Sequence, residues 1–381
     1  MRPVDGDAVA TTAAVAERFA ATADERAAFP AEALRAMRDT GLLGLLVPTV
    51  YGGGGGSVGD VVDATVELGR ADLTVALVFA MHCQQVAALA RYGGERLREH
   101  VLPAVAKGDL YLASVTTETG TGGHLLTSES PVALAGDTLH VDRRAPIVTG
   151  GRHADGFLMT VQTPGATTPH QVDLVFAARD QLTVEVLGDW QPLGMRATES
   201  VPMRLAGDVP AWQVVGPPGG FRTIAATVFA PLAHVGWSAA WLGTAAGALS
   251  RVVGHLRTGK RVDPSAELLR AHLADVRSRL DVVHALLRHT VHVLETAGDT
   301  TAAPVQLLVN TLKVRAAEEC HRAVDELVDV VGLRHGYLAG SPLRLERALR
   351  DLRSASLNYG NDRLRLAGGA LVLLDSKVRL A

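Results

Sequence analysis

The stretch Leu269-Arg-Ala-His-Leu-Ala-Asp-Val276 opens a pattern in which apolar residues recur at steps of three and four. Leu269, Leu273, Val276, Leu280, Val283, Leu287, Val291 and Leu294 all obey it. Side chains three and four apart share one helix face, so this is a long amphipathic helix suited to a bundle. From Gly219-Gly220 to the C-terminus the chain reads as helical in the same way.

Upstream the texture changes. Between about Leu110 and Val215, short alternating or β-branched runs appear at Thr138–Asp142, Gly156–Val161, Val172–Phe176 and Leu182–Leu187. Gly, Pro and Asp turns separate them, which predicts a central antiparallel β domain with strands close together along the chain. The first ~110 residues read as helices. Phe29-Pro30-Ala31-Glu32-Ala33-Leu34 places Pro and an acid at a helix start, and Gly41 supplies a stop. Further helices are predicted from about Val58 to Gly69 and from Leu73 to Tyr92. Between them Tyr51 is followed by five glycines, Gly52 to Gly56. The run lacks the Gly-Lys-Ser/Thr ending and preceding strand of a phosphate loop, so it is expected to be a flexible connector. The order is α, then β, then α, with no Rossmann unit and no evident repeat.

Composition bounds the rest. A chain of 381 residues suggests two or three domains. With 37 Lys+Arg against 40 Asp+Glu it lacks the basic excess of a broad nucleic-acid surface, so no nucleic-acid partner is expected. Two cysteines, Cys83 and Cys320, cannot form a disulfide framework and point to a reducing cytoplasm. The N-terminus carries no apolar signal core. Runs such as Val75–Met81 stop short of the ~20 residues of a membrane helix, so no membrane association is expected. Aromatics make up only 4%, so the core must be aliphatic.

Five local patterns, in order, are similar to one family. Leu42-Leu-Gly-Leu-Leu-Val-Pro48 with Tyr51-Gly-Gly is like an entry segment GLLGLxVPxxYGG, and Thr117-Glu-Thr-Gly-Thr-Gly122 is like a TEPxAG loop. Ile147-Val-Thr-Gly-Gly151 with Ala154-Asp-Gly156 is like WITNG…AD. Leu193-Gly-Met-Arg-Ala-Thr198 is like LGMRGT, and Leu345-Glu-Arg347 with Arg350-Asp351 is like the family's final Arg-Asp helix. On these the chain resembles the acyl-CoA dehydrogenase superfamily over nearly its whole length. The resemblance implies an α+β multidomain fold. It comprises an N-terminal helical domain (1–112), a central antiparallel β-barrel or sandwich (113–217) and a C-terminal four-helix bundle (218–381). It also implies FAD held between domains and subunits, and a homodimer or homotetramer.

Site residues follow from the same resemblance. Thr149 matches the threonine beside flavin N5. Thr117, with the amides around Thr116 and Glu118, matches the loop at the pyrimidine edge, which Gly122 and Gly123 close; Glu118 is expected to scaffold that loop rather than act as an acid. Arg257, with Lys260 and Arg261 nearby, is the counterpart of a pyrophosphate-binding arginine, although the accompanying phenylalanine is missing. Gly332 matches the first glycine of a GGxGY turn whose second glycine is Leu333 here.

The chemistry departs from the family at its base. Most members remove the α-proton of an acyl thioester, on CoA or a carrier protein, with a glutamate after the Arg-Asp pair. Here Tyr359 stands at that point, and the alternative base position holds Ala233, flanked by His234. A tyrosine ionises near ~10, about six units above a glutamate. Three readings stay open: oxidation of the thioester with Tyr359 or His234 as an unusual base, or of a substrate with an acidic proton; a monooxygenase using reduced flavin and O2, with His82 bonding the activated oxygen; or a redox-neutral or non-catalytic protein. The first leads, because the β-domain and C-terminal patterns look most like dehydrogenases, whose partner is an electron acceptor. Trp237 and Trp241 are expected on the cavity's bundle wall or in the core. Among 14 histidines, His284, His289 and His292 share no metal-binding face with a carboxylate, and no metal is expected. Cys83 and Cys320 read as buried small side chains, and Ser114 and Ser356 lack a nucleophile context.

Overall fold

The computed structural model describes residues 6–118, 125–258, 266–374 and 377–381. Five helices come first: α1 (Gly6–Arg26), α2 (Ala31–Asp39), α3 (Val58–Ala71), α4 (Leu73–Tyr92) and α5 (Glu95–Ala106). Ser57 and Asp60 close a reciprocal capping box at the start of α3. Asp72 caps α4 by accepting from the Val75 amide at 3.0 Å. Contrary to expectation, α4 has the length and hydropathy of a membrane span, as does the stretch Phe221–Thr258. Inside the protein 83% of the α4 window is buried, as befits a central core helix.

The glycine run is not a flexible connector. The amides of Gly54, Gly55 and Gly56 donate to the carbonyls of Gly44, Val47 and Leu45 at 2.8–3.0 Å, folding the segment back on its approach. A Cβ at Gly53 would lie 2.3 Å from Val47 Cβ, so the glycines permit close packing of backbone on backbone.

The central domain is a pair of four-stranded sheets. One orders β1 (Leu112–Val115), β4 (Gly156–Gln162), β5 (Val172–Ala178) and β8 (Val214–Val215); the other orders β2 (Val132–Ala135), β3 (Thr138–Val148), β7 (Val201–Pro210) and β6 (Leu182–Val186). The antiparallel expectation holds for every pair except β1 and β4, which are parallel. The chain between them crosses into the other sheet and returns, so it re-enters the first sheet in the same direction. In β3 the register with β7 shifts between Ala145 and Val148, and this bulge turns Ile147 outward.

After the short α6 (Phe221–Ile224) and a π-turn, α7 (Ala230–Thr258), α8 (Glu267–Thr296) and α9 (Ala303–Gly332) pack together, with α10 (Leu345–Arg353) and α11 (Asn361–Leu374) against α9. The three long helices pack pairwise and α11 lies mainly on α9, which gives the helical C-terminal domain. The face read from sequence on α8 is inward at Val276, Leu280, Val283, Leu287 and Val291. Helix α7 also lies against α3, where Thr244 Oγ1 donates to the Gly69 carbonyl at 3.0 Å. The N-terminal helices, sheets and bundle thereby share one hydrophobic cluster, and a second packs α4, α5 and α6 against β1, β4 and β5.

Candidate active site

A cavity of about 520 Å³ opens where the β domain, α4, α7 and the segment after α10 meet. That volume suits a small-molecule or cofactor site. Its β wall carries Ser114, Thr116, Thr117, Ile147 and Thr149; its bundle wall carries Trp237, Leu357, Asn358 and Tyr359; Leu193, Gly194 and Met195 lie between.

The β wall is pinned from behind. Thr117 Oγ1 donates to the Ile147 carbonyl (2.8 Å), tying the end of β1 to the β3 bulge. Glu118 is nearly buried and accepts from Arg143 at 2.7 Å, Ser130 Oγ at 2.5 Å and the Glu129 amide at 2.9 Å. Arg143 is wholly buried and also donates to the Thr117 carbonyl at 2.9 Å. Burial lowers the Arg143 pKa and the Glu118 carboxylate opposes that shift. Thr149 joins a chain of hydroxyls: Thr198 Oγ1 donates to the Met195 carbonyl and Ser200 Oγ donates to Thr198. Each hydroxyl has one proton, so Thr149 is the donor in its 2.9 Å bond to Ser200 and keeps lone pairs free as acceptors.

The middle turn is locked onto α10. Asp351 Oδ1 accepts from the Met195 amide at 2.6 Å, and Arg350 bonds Asp24, Glu346 and the Leu193 carbonyl. A Cβ on Gly194 would meet the Arg350 carbonyl oxygen at 2.1 Å, so only glycine allows this approach. Burial pushes the Asp351 pKa up to about 7, against the Met195 hydrogen bond.

The bundle wall differs from expectation. Tyr359 lines the cavity in a left-handed conformation (φ 47°), but burial raises its pKa, with the Arg363 guanidinium 5.7 Å from the ring opposing. Its phenol is protonated at neutral pH. His234 does not line the cavity; it is buried behind Tyr359, ring centroids 5.8 Å apart. Burial, aided by the Lys313 ammonium, lowers the His234 pKa to about 3, which makes it a weak base. Its Nδ1 has no partner among the described residues. Among the described residues lining the cavity there is no carboxylate, histidine or lysine.

Other expected residues fall elsewhere. Gly122, Gly123, Lys260 and Arg261 lie outside the described residues. Arg257 is exposed on the last turn of α7 and Gly332 ends α9. Neither lines the cavity, but the tilted rings of His255 and His335 lie 4.5 Å apart, so both sit at the same end of the bundle. His82 is no cavity residue: its Nδ1 accepts from the Leu112 amide, and Nε2 must therefore donate to the Leu43 carbonyl. Trp237 lines the cavity whereas Trp241 is core. Ser114 lines the cavity without a base, and both cysteines are buried with pKa values raised by burial. No metal-binding cluster occurs among the described residues.

Two functional-looking residues were missed. Arg143 occupies an inward position of β3 in step with Leu139, Val141 and Ala145. Lys313 interrupts the buried face of α9 beside Val309, Leu312 and Ala316. A charge on an apolar face was the available signal in both cases.

Known proteins match the chain along most of its length. Residues 7–109 match the family model of the acyl-CoA dehydrogenase N-terminal domain, and residues 220–368 that of the C-terminal domain. The chain is 25% identical to the mitochondrial isobutyryl-CoA dehydrogenase of Dictyostelium discoideum, over 90% of this chain and 82% of that one. It is 26% identical to the dibenzothiophene monooxygenase of Rhodococcus qingshengii, over 93% and 90% of the two chains. The FMN-bound TdsC of Paenibacillus sp. A11-2 has the same fold, with a TM-score of 0.86, 21% identity and 98% of each chain covered.

Proposed function

Because this chain belongs to the acyl-CoA dehydrogenase family, we propose that it is a flavin-dependent oxidoreductase of that type. Its substrate would be an acyl thioester carried on CoA or on a carrier protein, and FAD its cofactor. The cavity carries this reading: hydroxyls of the β wall line it together with Tyr359, whose distance from Arg350-Asp351 resembles that of the family's base. A flavin suits the β wall, where Thr116, Thr117 and Thr149 would hold its polar edge and Ile147 its face. When bound it would accept a hydride. Arg257 and Gly332, away from the cavity, would serve a cofactor only across a subunit contact.

Tyr359 would sit beside the α-carbon as a neutral phenol. A neutral phenol is a poor proton acceptor, so the thioester needs an α-proton acidic enough to leave to a water that the Tyr359 hydroxyl would hold in place. A second reading, a monooxygenase of the same fold using O2, is favoured by one observation: no carboxylate lines the cavity among the described residues. We also propose a homodimer or homotetramer, supported by the exposed Leu366, Leu373 and Leu374 of α11, and a cytoplasmic location, supported by two unpaired buried cysteines.

The test is an absorbance spectrum of the purified protein, then anaerobic bleaching. Bleaching by acyl thioesters supports the first reading; bleaching only by NADH with a flavin reductase supports the second, and a colourless protein that takes up no flavin defeats both. Tyr359→Phe is expected to slow thioester bleaching at least tenfold, and an unchanged rate removes Tyr359 from the mechanism.

A further inference from the structure

Helix α9 buries Val309, Leu312, Ala316 and Cys320, and in their midst Lys313 is fully buried. A buried ammonium is costly unless its protons are taken. Among the described residues no carboxylate pairs with it within 4 Å. Its three protons meet three other acceptors: Asn361 Oδ1 at 2.8 Å, the Ala355 carbonyl at 3.1 Å and the Tyr359 carbonyl at 3.3 Å. The Trp241 ring closes the remaining side, with Nζ 5.7 Å from its centroid. Burial brings the Lys313 pKa down to about 8, so it is still charged at neutral pH.

All three acceptors belong to one short stretch, from the end of α10 to the first residue of α11. That stretch presents Leu357, Asn358 and Tyr359 to the cavity. Its backbone bonds tie it to its two ends, from Ala355 to Leu352, from Leu357 and Asn358 to Ser354, from Asn361 to Ser356, and from Arg363 and Leu364 to the Gly360 carbonyl, and none of these involves the backbone of Tyr359. Tyr359 is left-handed within it, a conformation unfavourable for a residue with a side chain. Something outside the turn must hold it there. Asn361 is itself oriented, since its amide nitrogen reaches Glu318 at 3.4 Å and leaves the oxygen to Lys313.

We propose that Lys313 is a positioning residue whose buried ammonium clamps residues 355–361 and thereby sets Tyr359 against the cavity. Nothing in the clamp touches the reacting atoms; Lys313 acts through Tyr359. The inference rests on the reading of Tyr359 given above.

The test uses the flavin-loaded full-length protein with Lys313→Met, Tyr359→Phe and the double variant, checked for fold by circular dichroism. Hydrogen exchange of the 354–361 amides is expected to rise at least tenfold in Lys313→Met, with exchange in β3 and α8 unchanged; charge-assisted bonds are strong enough for roughly that factor. Turnover is expected to fall about tenfold, and that loss is expected to vanish in the Tyr359→Phe background. Unchanged exchange at 354–361 overturns the clamp. A loss of turnover that persists in full without the Tyr359 hydroxyl overturns the route through Tyr359. If Lys313→Met does not fold, Asn361→Ala removes the shortest bond and carries the same measurements. Should Tyr359→Phe alone leave turnover unchanged, the role of Tyr359 falls, while faster exchange in Lys313→Met still supports the clamp.

Discussion

The two sides of the cavity satisfy their polar atoms to different degrees. On the β side, both Glu118 oxygens and both terminal nitrogens of Arg143 are hydrogen-bonded, the hydroxyls of Thr149, Ser200 and Thr198 form a directed chain, and Arg143 Nε alone in this group lacks a partner among the described residues. On the bundle side, His234 Nδ1, Trp237 Nε1 and Trp241 Nε1 are buried without partners among the described residues. These three come from one face of α7, with ring centroids 6.0 and 6.4 Å apart. A buried unpaired polar atom costs about 1–3 kcal/mol, so this face of α7 gives up more stability than the β wall does. The difference is that between a wall whose polar groups are tied to one another and a helix face packed by aromatic rings, of which Trp237 alone reaches the cavity.

The largest effect should come from breaking the β wall. Arg143→Met leaves the Glu118 carboxylate buried and unpaired, with an expected loss of about 3–5 kcal/mol in urea unfolding. A loss under about 1 kcal/mol would mean that this wall is no better supported than the other. An intermediate effect belongs to Asp351, which joins the turn of Met195 to α10. Its folded pKa is raised to about 7 from 3.8, so the folded state binds this proton more tightly than the unfolded chain. Its stabilising contribution is therefore present below about pH 4 and lost as pH rises through 7. Asp351→Asn keeps an acceptor for the Met195 amide without the charge. It should match the wild type near pH 4 and exceed it by on the order of 1–3 kcal/mol at pH 8.5. Paired melting curves across that range check this, and a pH-independent difference would refute it. The smallest effect should be on the bundle wall. His234→Leu removes a ring whose Nδ1 has no partner among the described residues, and stability should hold or rise by about 1 kcal/mol as that desolvation cost is relieved. A loss above about 2 kcal/mol in thermal unfolding would show that the imidazole is in fact partnered, and the contrast between the walls would shrink.

Much of the β wall was legible in the sequence. Thr117 and Glu118 sit in one short run and Thr149 in another, and short runs keep their meaning because few neighbouring residues set their backbone. Tyr359 was legible by its distance from Arg350-Asp351. The five glycines were misread because a glycine run looks alike whether it is loose or folded back on Leu45 and Val47. Trp237 and Trp241 lie four apart on the same helix face, and packing alone sends one to the cavity and the other into the core. Arg143 and Lys313 escaped notice because each is a charge whose acceptors come from other segments.

By itself the sequence determined the α–β–α order, the inward faces of the helices and the pairing of Tyr359 with the Arg350-Asp351 segment of one cavity. Periods of 3.6 and 2 residues are local and survive in a linear reading. Only the tertiary structure decided that burial raises this tyrosine's pKa rather than lowering it, that His234 is a neutral ring behind it, and that Lys313 bonds the backbone of its turn. Protonation depends on desolvation, and desolvation at Tyr359 is set by atoms drawn together from the β domain, α7 and α9.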